Sequence, residues 1–193
     1  TVRKLNISKG KLEKLTGIKE RRLWPVGTLP SDLAAAAGEK ALAKSTTPRD
    51  KIDLLIYTGV CRDALEPSTA SIVHHNLGLD PNCLVFDISN ACLGFLNGLS
   101  IAASMIEHGE VRSAMVVSGE NAGPLYEDTI ADLNTNPTNE NFRGKFVNLT
   151  LGSGAIAFVL QHEQTTDTHA PKILGSVGQA YSKAHSLCRG YGD

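Results

Sequence analysis

Asp87-Ile88-Ser89-Asn90-Ala91-Cys92-Leu93-Gly94-Phe95 is the stretch that decides how this chain is read. It continues the apolar run Cys83-Leu84-Val85-Phe86, so a strand is predicted over 83–88. Ser89, Asn90 and Ala91 are small or polar and turn the chain. A helix is predicted from about Cys92 to His108, with Gly109 as its stop. A thiol at that helix start meets unpaired backbone N–H groups and the positive end of the helix dipole, which favour thiolate over thiol. The same N–H groups could hold a developing oxyanion on a thioester carbonyl. Gly94, Gly98 and Ala102 are spaced one turn apart, a bare stripe along which another backbone can approach, while Leu96, Leu99, Ala103 and Ile106 suit burial. The plainer alternative is a structural cysteine in a core helix, because free cysteine is among the most buried residue types.

Outward from that turn, strands and helices alternate. Ile52–Tyr57 is predicted as a buried strand closed by Thr58-Gly59, and Pro67 and Ser68 open a helix to about Leu77, stopped by Gly78. Ser31 and Asp32 are predicted to cap a helix through Lys44, with Leu33, Ala36, Ala37 and Leu42 on one side. Ala114–Ser118, Ala155–Leu160 and Ile173–Ala180 complete the predicted strands. Residues 120–146, polar and rich in Asn, Gly and Pro, are predicted as an irregular excursion, a lid or partner-contact region. The opening residues to Lys14 read as basic-amphipathic. Alternation of this kind implies an α/β fold: a mostly parallel mixed sheet flanked by helices, with the Cys92 helix buried centrally.

Composition narrows the function classes. The 193 residues are 41% hydrophobic and 20% charged with 18 glycines, which argues against disorder. Nineteen Lys and Arg against 20 Asp and Glu leave a formal charge of −1, with no basic run, so nucleic acid is disfavoured. Apolar stretches are broken before membrane-spanning length, so no membrane is expected and the chain reads as cytoplasmic. Cys61, Cys83, Cys92 and Cys188 are widely spaced and read as free thiols. No closely spaced ligand pair suggests a metal; His74-His75 is the one histidine cluster, and Asn6 and Asn148 are chance sequons.

Ser89-Asn90-Ala91-Cys92-Leu93-Gly94-Phe95, with Met115-Val116-Val117-Ser118 beyond its helix, resembles the nucleophile region of the thiolase-fold condensing enzymes, most closely beta-ketoacyl-acyl-carrier-protein synthase III. Thr16-Gly17-Ile18-Lys19-Glu20-Arg21-Arg22 resembles that family's T-G-I-x-E-R-R block, and Leu151-Gly152-Ser153-Gly154-Ala155 its G-D-G-A block, with Ser153 in place of Asp. Cys61-Arg62-Asp63-Ala64-Leu65-Glu66-Pro67-Ser68 resembles the subgroup that condenses two acyl-CoA chains head to head in olefin biosynthesis. The family's adenine-stacking tryptophan has no aromatic counterpart before Thr16, and Trp24 falls after the arginine pair.

The resemblance implies an acyltransferase in which Cys92 accepts an acyl group from a CoA or carrier-protein thioester and a Claisen condensation follows. Glu66 matches the base that reaches across a homodimer, and Arg21, Arg22, Gly152 and Gly154 are the candidate substrate contacts. The family needs no metal or redox cofactor. Its histidine and asparagine lie in a second, similar half, and none of His74, His75, His108, His162, His169 or His185 matches. Residues 1–193 are therefore expected to be the N-terminal thiolase-like domain, inactive alone. The competing expectation is a noncatalytic thiolase-like half that serves as an assembly or carrier-protein docking module.

Overall fold

The computed structural model describes residues 10–165 and 170–186; Asn6, His169, Cys188 and most of the basic-amphipathic opening lie outside that range. Among the described residues four strands form one sheet in the order β2-β1-β3-β4, from Leu54–Thr58 (β1), Leu84–Ile88 (β2), Ser113–Glu120 (β3) and Gly154–Gln161 (β4). β1 runs parallel to β2 and to β3, whereas β4 runs antiparallel to β3. Residues cluster into two compact units. One comprises Gly27–Glu120 with Gly154–Val177 and contains the sheet; the other comprises Thr1–Val26, Asn121–Ser153 and Gly178–Asp193.

In the sheet unit, period-two alternation divides the core in two. Leu55 and Tyr57 of β1 and Met115 and Val117 of β3 face helices α2 (Pro30–Lys44) and α3 (Thr69–Leu77), meeting Ala34, Ala35, Ala70, Val73 and Leu77. Leu54, Ile56, Ala114 and Val116 face the other way, onto Ala102 and Ile106 of α4 (Gly94–Glu107). Covered on both faces, β1 is buried throughout, which is why its sequence is a continuous apolar run.

Several expectations need revision. Ser31 does not cap α2: Leu29 is the N-cap and Pro30 opens the first turn, while the Ser31 N–H and hydroxyl both donate to Asp63. The buried face of α2 is Leu33, Ala34, Ala35 and Gly38, not Ala36 and Ala37, because Gly38 must pass against Leu77 and Met115. Residues 120–146 are largely helical, with α5 at Gly123–Thr135 and α6 at Asn139–Gly144. Thr129 and Leu133, one turn apart, are buried there, and Leu133 shares a small core with Leu149, Tyr126, Ile130, Phe142 and Leu12 of α1 (Lys11–Thr16). Ile173–Ala180 forms no strand; these residues are exposed, with no sheet edge pairing them. Ser68 does cap α3, accepting the Ser71 N–H, and Gly78 ends it at φ +58°.

Close packing of α2 on β3 depends on Gly119. A Cβ there would overlap the Pro30 carbonyl oxygen and sit 2.9 Å from the Ala34 nitrogen, and neither backbone atom can swing aside. Gly119→Ala is expected to cost about 3 kcal/mol, at the upper end of overpacking penalties. Urea denaturation checks this, and an unchanged midpoint would contradict it.

Candidate active site

Three parallel strands bring their C-terminal ends to one edge of the sheet, and β4 begins there, since Gly154 pairs with Glu120. Loops at this edge of an open α/β sheet are where ligands bind. The loop after β1 carries Glu66, the turn after β2 carries Cys92, and Gly154 opens β4. Sequence reading therefore selected three residues that the topology gathers at one edge.

Cys92 sits in a short 3-10 turn, Ala91–Leu93, that runs directly into α4, and its side chain is exposed. The helix begins two residues later than predicted, yet the thiol stays at its N-terminal end. Ala91 holds φ +44°, a left-handed conformation that a non-glycine residue adopts at a cost of about 1–3 kcal/mol. Asn90 braces the turn by donating to the Asn97 carboxamide oxygen at 2.6 Å. Such a turn lifts the side chain clear of the sheet instead of packing it inward. The buried structural-cysteine alternative describes Cys83, whose thiol is pushed up to about 12 by burial and by the charges of Asp53 and Asp80.

α4 rests on the sheet through its small residues. A Cβ on Gly98 would fall 2.7 Å from Thr58 Cγ2 and 2.9 Å from Val116 Cγ1. Gly94, Gly98, Ala102 and Ile106 are buried, while Leu93, Leu96 and Ile101 are exposed on the outward side. Leu96 was expected inside; the glycine stripe takes that place.

Glu66 is exposed, and its bond to Pro67 is cis. Asp87, near the end of β2, accepts the N–H groups of Thr69 at 2.9 Å and Ala70 at 2.8 Å, so the strand that leads to Cys92 also holds the first turn of the helix that follows Glu66. Tyr57, fully buried, places its hydroxyl 2.6 Å from the Cys61 carbonyl oxygen and 2.8 Å from that of Gly119. Burial, then the Glu120 charge, raises its pKa, so it stays a neutral donor.

The second unit holds the remaining candidates. The Arg21 guanidinium lies 5.4 Å from the Tyr126 ring centroid, and its Nε is buried without a hydrogen-bond partner. Arg22 is exposed; its carbonyl accepts the Ser153 N–H at 2.9 Å and lies 3.7 Å from where a Gly152 Cβ would stand. Ser153, the replacement for the family's Asp, accepts the Ala122 N–H at 3.0 Å. Sequence reading missed a cleft of about 490 Å³ lined by Lys11, Leu15, Asn139, Phe142, Arg143 and Phe146, because the wall from Asn139 to Phe146 was taken for irregular chain.

Comparison with known proteins bears directly on this arrangement. Residues 86–181 match the family model for 3-oxoacyl-[acyl-carrier-protein] synthase III. An acyl-CoA:acyl-CoA alkyltransferase of Xanthomonas campestris is 45% identical over 98% of this chain and 56% of its own length. The enzyme of the same name from Shewanella oneidensis is 40% identical over 96% of this chain and 54% of its length. A crystal structure of a cysteine-to-serine variant of Xanthomonas campestris OleA with bound lauric acid and lauroyl-CoA superposes with a TM-score of 0.91 at 43% identity, covering 98% of this chain and 56% of that one. The chain thus spans about half the length of the curated relatives it matches. Over that half it is similar to the thiolase-fold condensing enzymes, in their ketoacyl synthase III-like group.

Proposed function

We propose that the full-length protein condenses two acyl thioesters through an acyl-Cys92 intermediate, and that residues 1–193 form the thiolase-like half that supplies the nucleophile. The observation that carries this reading is the exposed thiol of Cys92 on the strained turn at the head of α4. Its sulfur attacks the carbonyl of a first acyl-CoA. The new C–S bond forms as the bond to CoA breaks, and the thiol proton leaves with the CoA. Dividing the reaction through a covalent intermediate replaces one difficult step by two easier ones.

Glu66 then takes the α-proton of a second acyl-CoA. The carbanion attacks the acyl-Cys92 carbonyl, a C–C bond forms, and Cys92 departs and regains a proton. Support for Glu66 comes from its segment and from spacing. Solved variants of the Xanthomonas OleA alter one glutamate and one cysteine, and their separation in that chain equals that of Glu66 and Cys92 here. Arg21, Arg22, Gly152 and Gly154 contact the thioester substrate in this reading. A homodimer lets Glu66 serve the partner's site, the setting is cytoplasmic, and the chemistry calls for no metal or redox cofactor.

A substrate test separates this chemistry from decarboxylative condensation. Full-length protein given a single saturated acyl-CoA, without a malonyl donor, is expected to release one CoA per 3-oxoacyl product. Product that forms only when malonyl thioester is added would contradict the reading.

A further inference from the structure

Three carboxylates anchor segment 60–68, which carries Glu66: Glu120 of β3, the segment's own Asp63, and Asp87 of β2 just beyond its end. Glu120, the last residue of β3, turns back on it: Oε1 accepts the Val60 N–H at 2.7 Å and Oε2 the Cys61 N–H at 3.1 Å. The Tyr57 hydroxyl donates to the Cys61 carbonyl. Two residues on, Asp63 is tied to the start of α2, its Oδ1 accepting the Ser31 N–H at 2.9 Å and its Oδ2 the Ser31 hydroxyl at 2.5 Å. Ser31 is fully buried, so this anchor is set in the core. Asp87 fixes the far end through Thr69 and Ala70. Between the anchors the chain projects outward: Leu65 is 92% exposed and Glu66 is exposed beside it.

We propose that Glu120 and Asp63 are positioning residues for Glu66, holding residues 60–63 so that the 64–67 tip presents its carboxylate in one geometry. The proposal rests on the reading of Glu66 as the base. A base is effective only within hydrogen-bond reach of the proton it removes, and a misplacement of about 1 Å can cost roughly 10²-fold. Two backbone N–H groups donating to one carboxylate, beside a buried serine that donates twice to another, give the segment the rigidity this requires. Acylation of Cys92 does not use Glu66, so the clamp should matter only to the second half of the reaction.

The experiment uses the full-length protein with a saturated acyl-CoA and reads two quantities: the burst of CoA from acylation and the turnover to condensed product. Glu120→Gln and Asp63→Asn are expected to keep the burst within about twofold while condensation falls roughly 10- to 100-fold. Placed in a Glu66→Gln background, Glu120→Gln should add no further loss, since both changes act through one carboxylate. Losses that multiply in the double variant, condensation unchanged in both single variants, or burst and condensation falling together in both would each overturn the clamp. If Glu66→Gln alone condenses at the wild-type rate, the base reading fails and the clamp with it. A crippled Glu66→Gln beside unimpaired Glu120→Gln and Asp63→Asn overturns the clamp only.

Discussion

Cys92→Ser is expected to abolish acyl-enzyme formation and lower condensation by roughly 10⁴-fold or more, in line with the loss of other enzyme nucleophiles. The change replaces one atom on an exposed side chain, and nothing in the core depends on it. Stability should therefore move by no more than about 0.5 kcal/mol, as for surface substitutions generally. A serine hydroxyl keeps the shape but is a far weaker nucleophile at neutral pH. Single-turnover CoA release together with thermal denaturation reads both quantities. Near-normal acylation, or unfolding comparable to the loss of a core residue, would return Cys92 to a structural role.

Glu66→Gln has the second largest expected effect and separates two chemistries within one family. Glutamine keeps the size of the side chain and removes its capacity to take a proton. Acylation of Cys92 should persist while condensation of two acyl-CoA molecules falls about 10²–10⁴-fold, the usual contribution of a general base. A synthase that made its carbanion by decarboxylation would tolerate the change. Comparing the CoA burst with product formation in the same sample checks it, and equal losses in both would contradict the assignment.

Much of the fold was legible because local pattern and tertiary environment agree. Leu54–Thr58 and Ser113–Glu120 are apolar runs that become doubly covered parallel strands. The small and polar residues Ser89–Ala91 do turn the chain into a helix, as their position between strand and glycine-bearing helix implied. The strain at Ala91 was not legible, because alanine carries no preference for positive φ.

Residues 123–144 failed for the opposite reason. Their Asn, Gly and Pro content resembles loop, while the helical signal was confined to one sparse face that includes Thr129 and Leu133. Ile173–Ala180 has strand-like apolar content, yet a strand also needs a neighbour to bond with, and sequence does not supply one. Of the candidate site, Cys92, Glu66 and Gly154 were found together at one sheet edge. The clamp on Glu66 was hidden because Glu120 lies 60 residues from Val60, and Asp63 lies 32 from Ser31. Contacts at that separation leave no periodic trace in the chain.

The central claim is that Cys92 carries the acyl group. The most direct measurement is peptide mass spectrometry of full-length protein quenched within one turnover of mixing with a saturated acyl-CoA. The account predicts the mass of one acyl group on the peptide that contains Cys92, and none on those that contain Cys61 or Cys83. Condensed product accumulating with no adduct on Cys92, or an adduct carried by another residue, would contradict it.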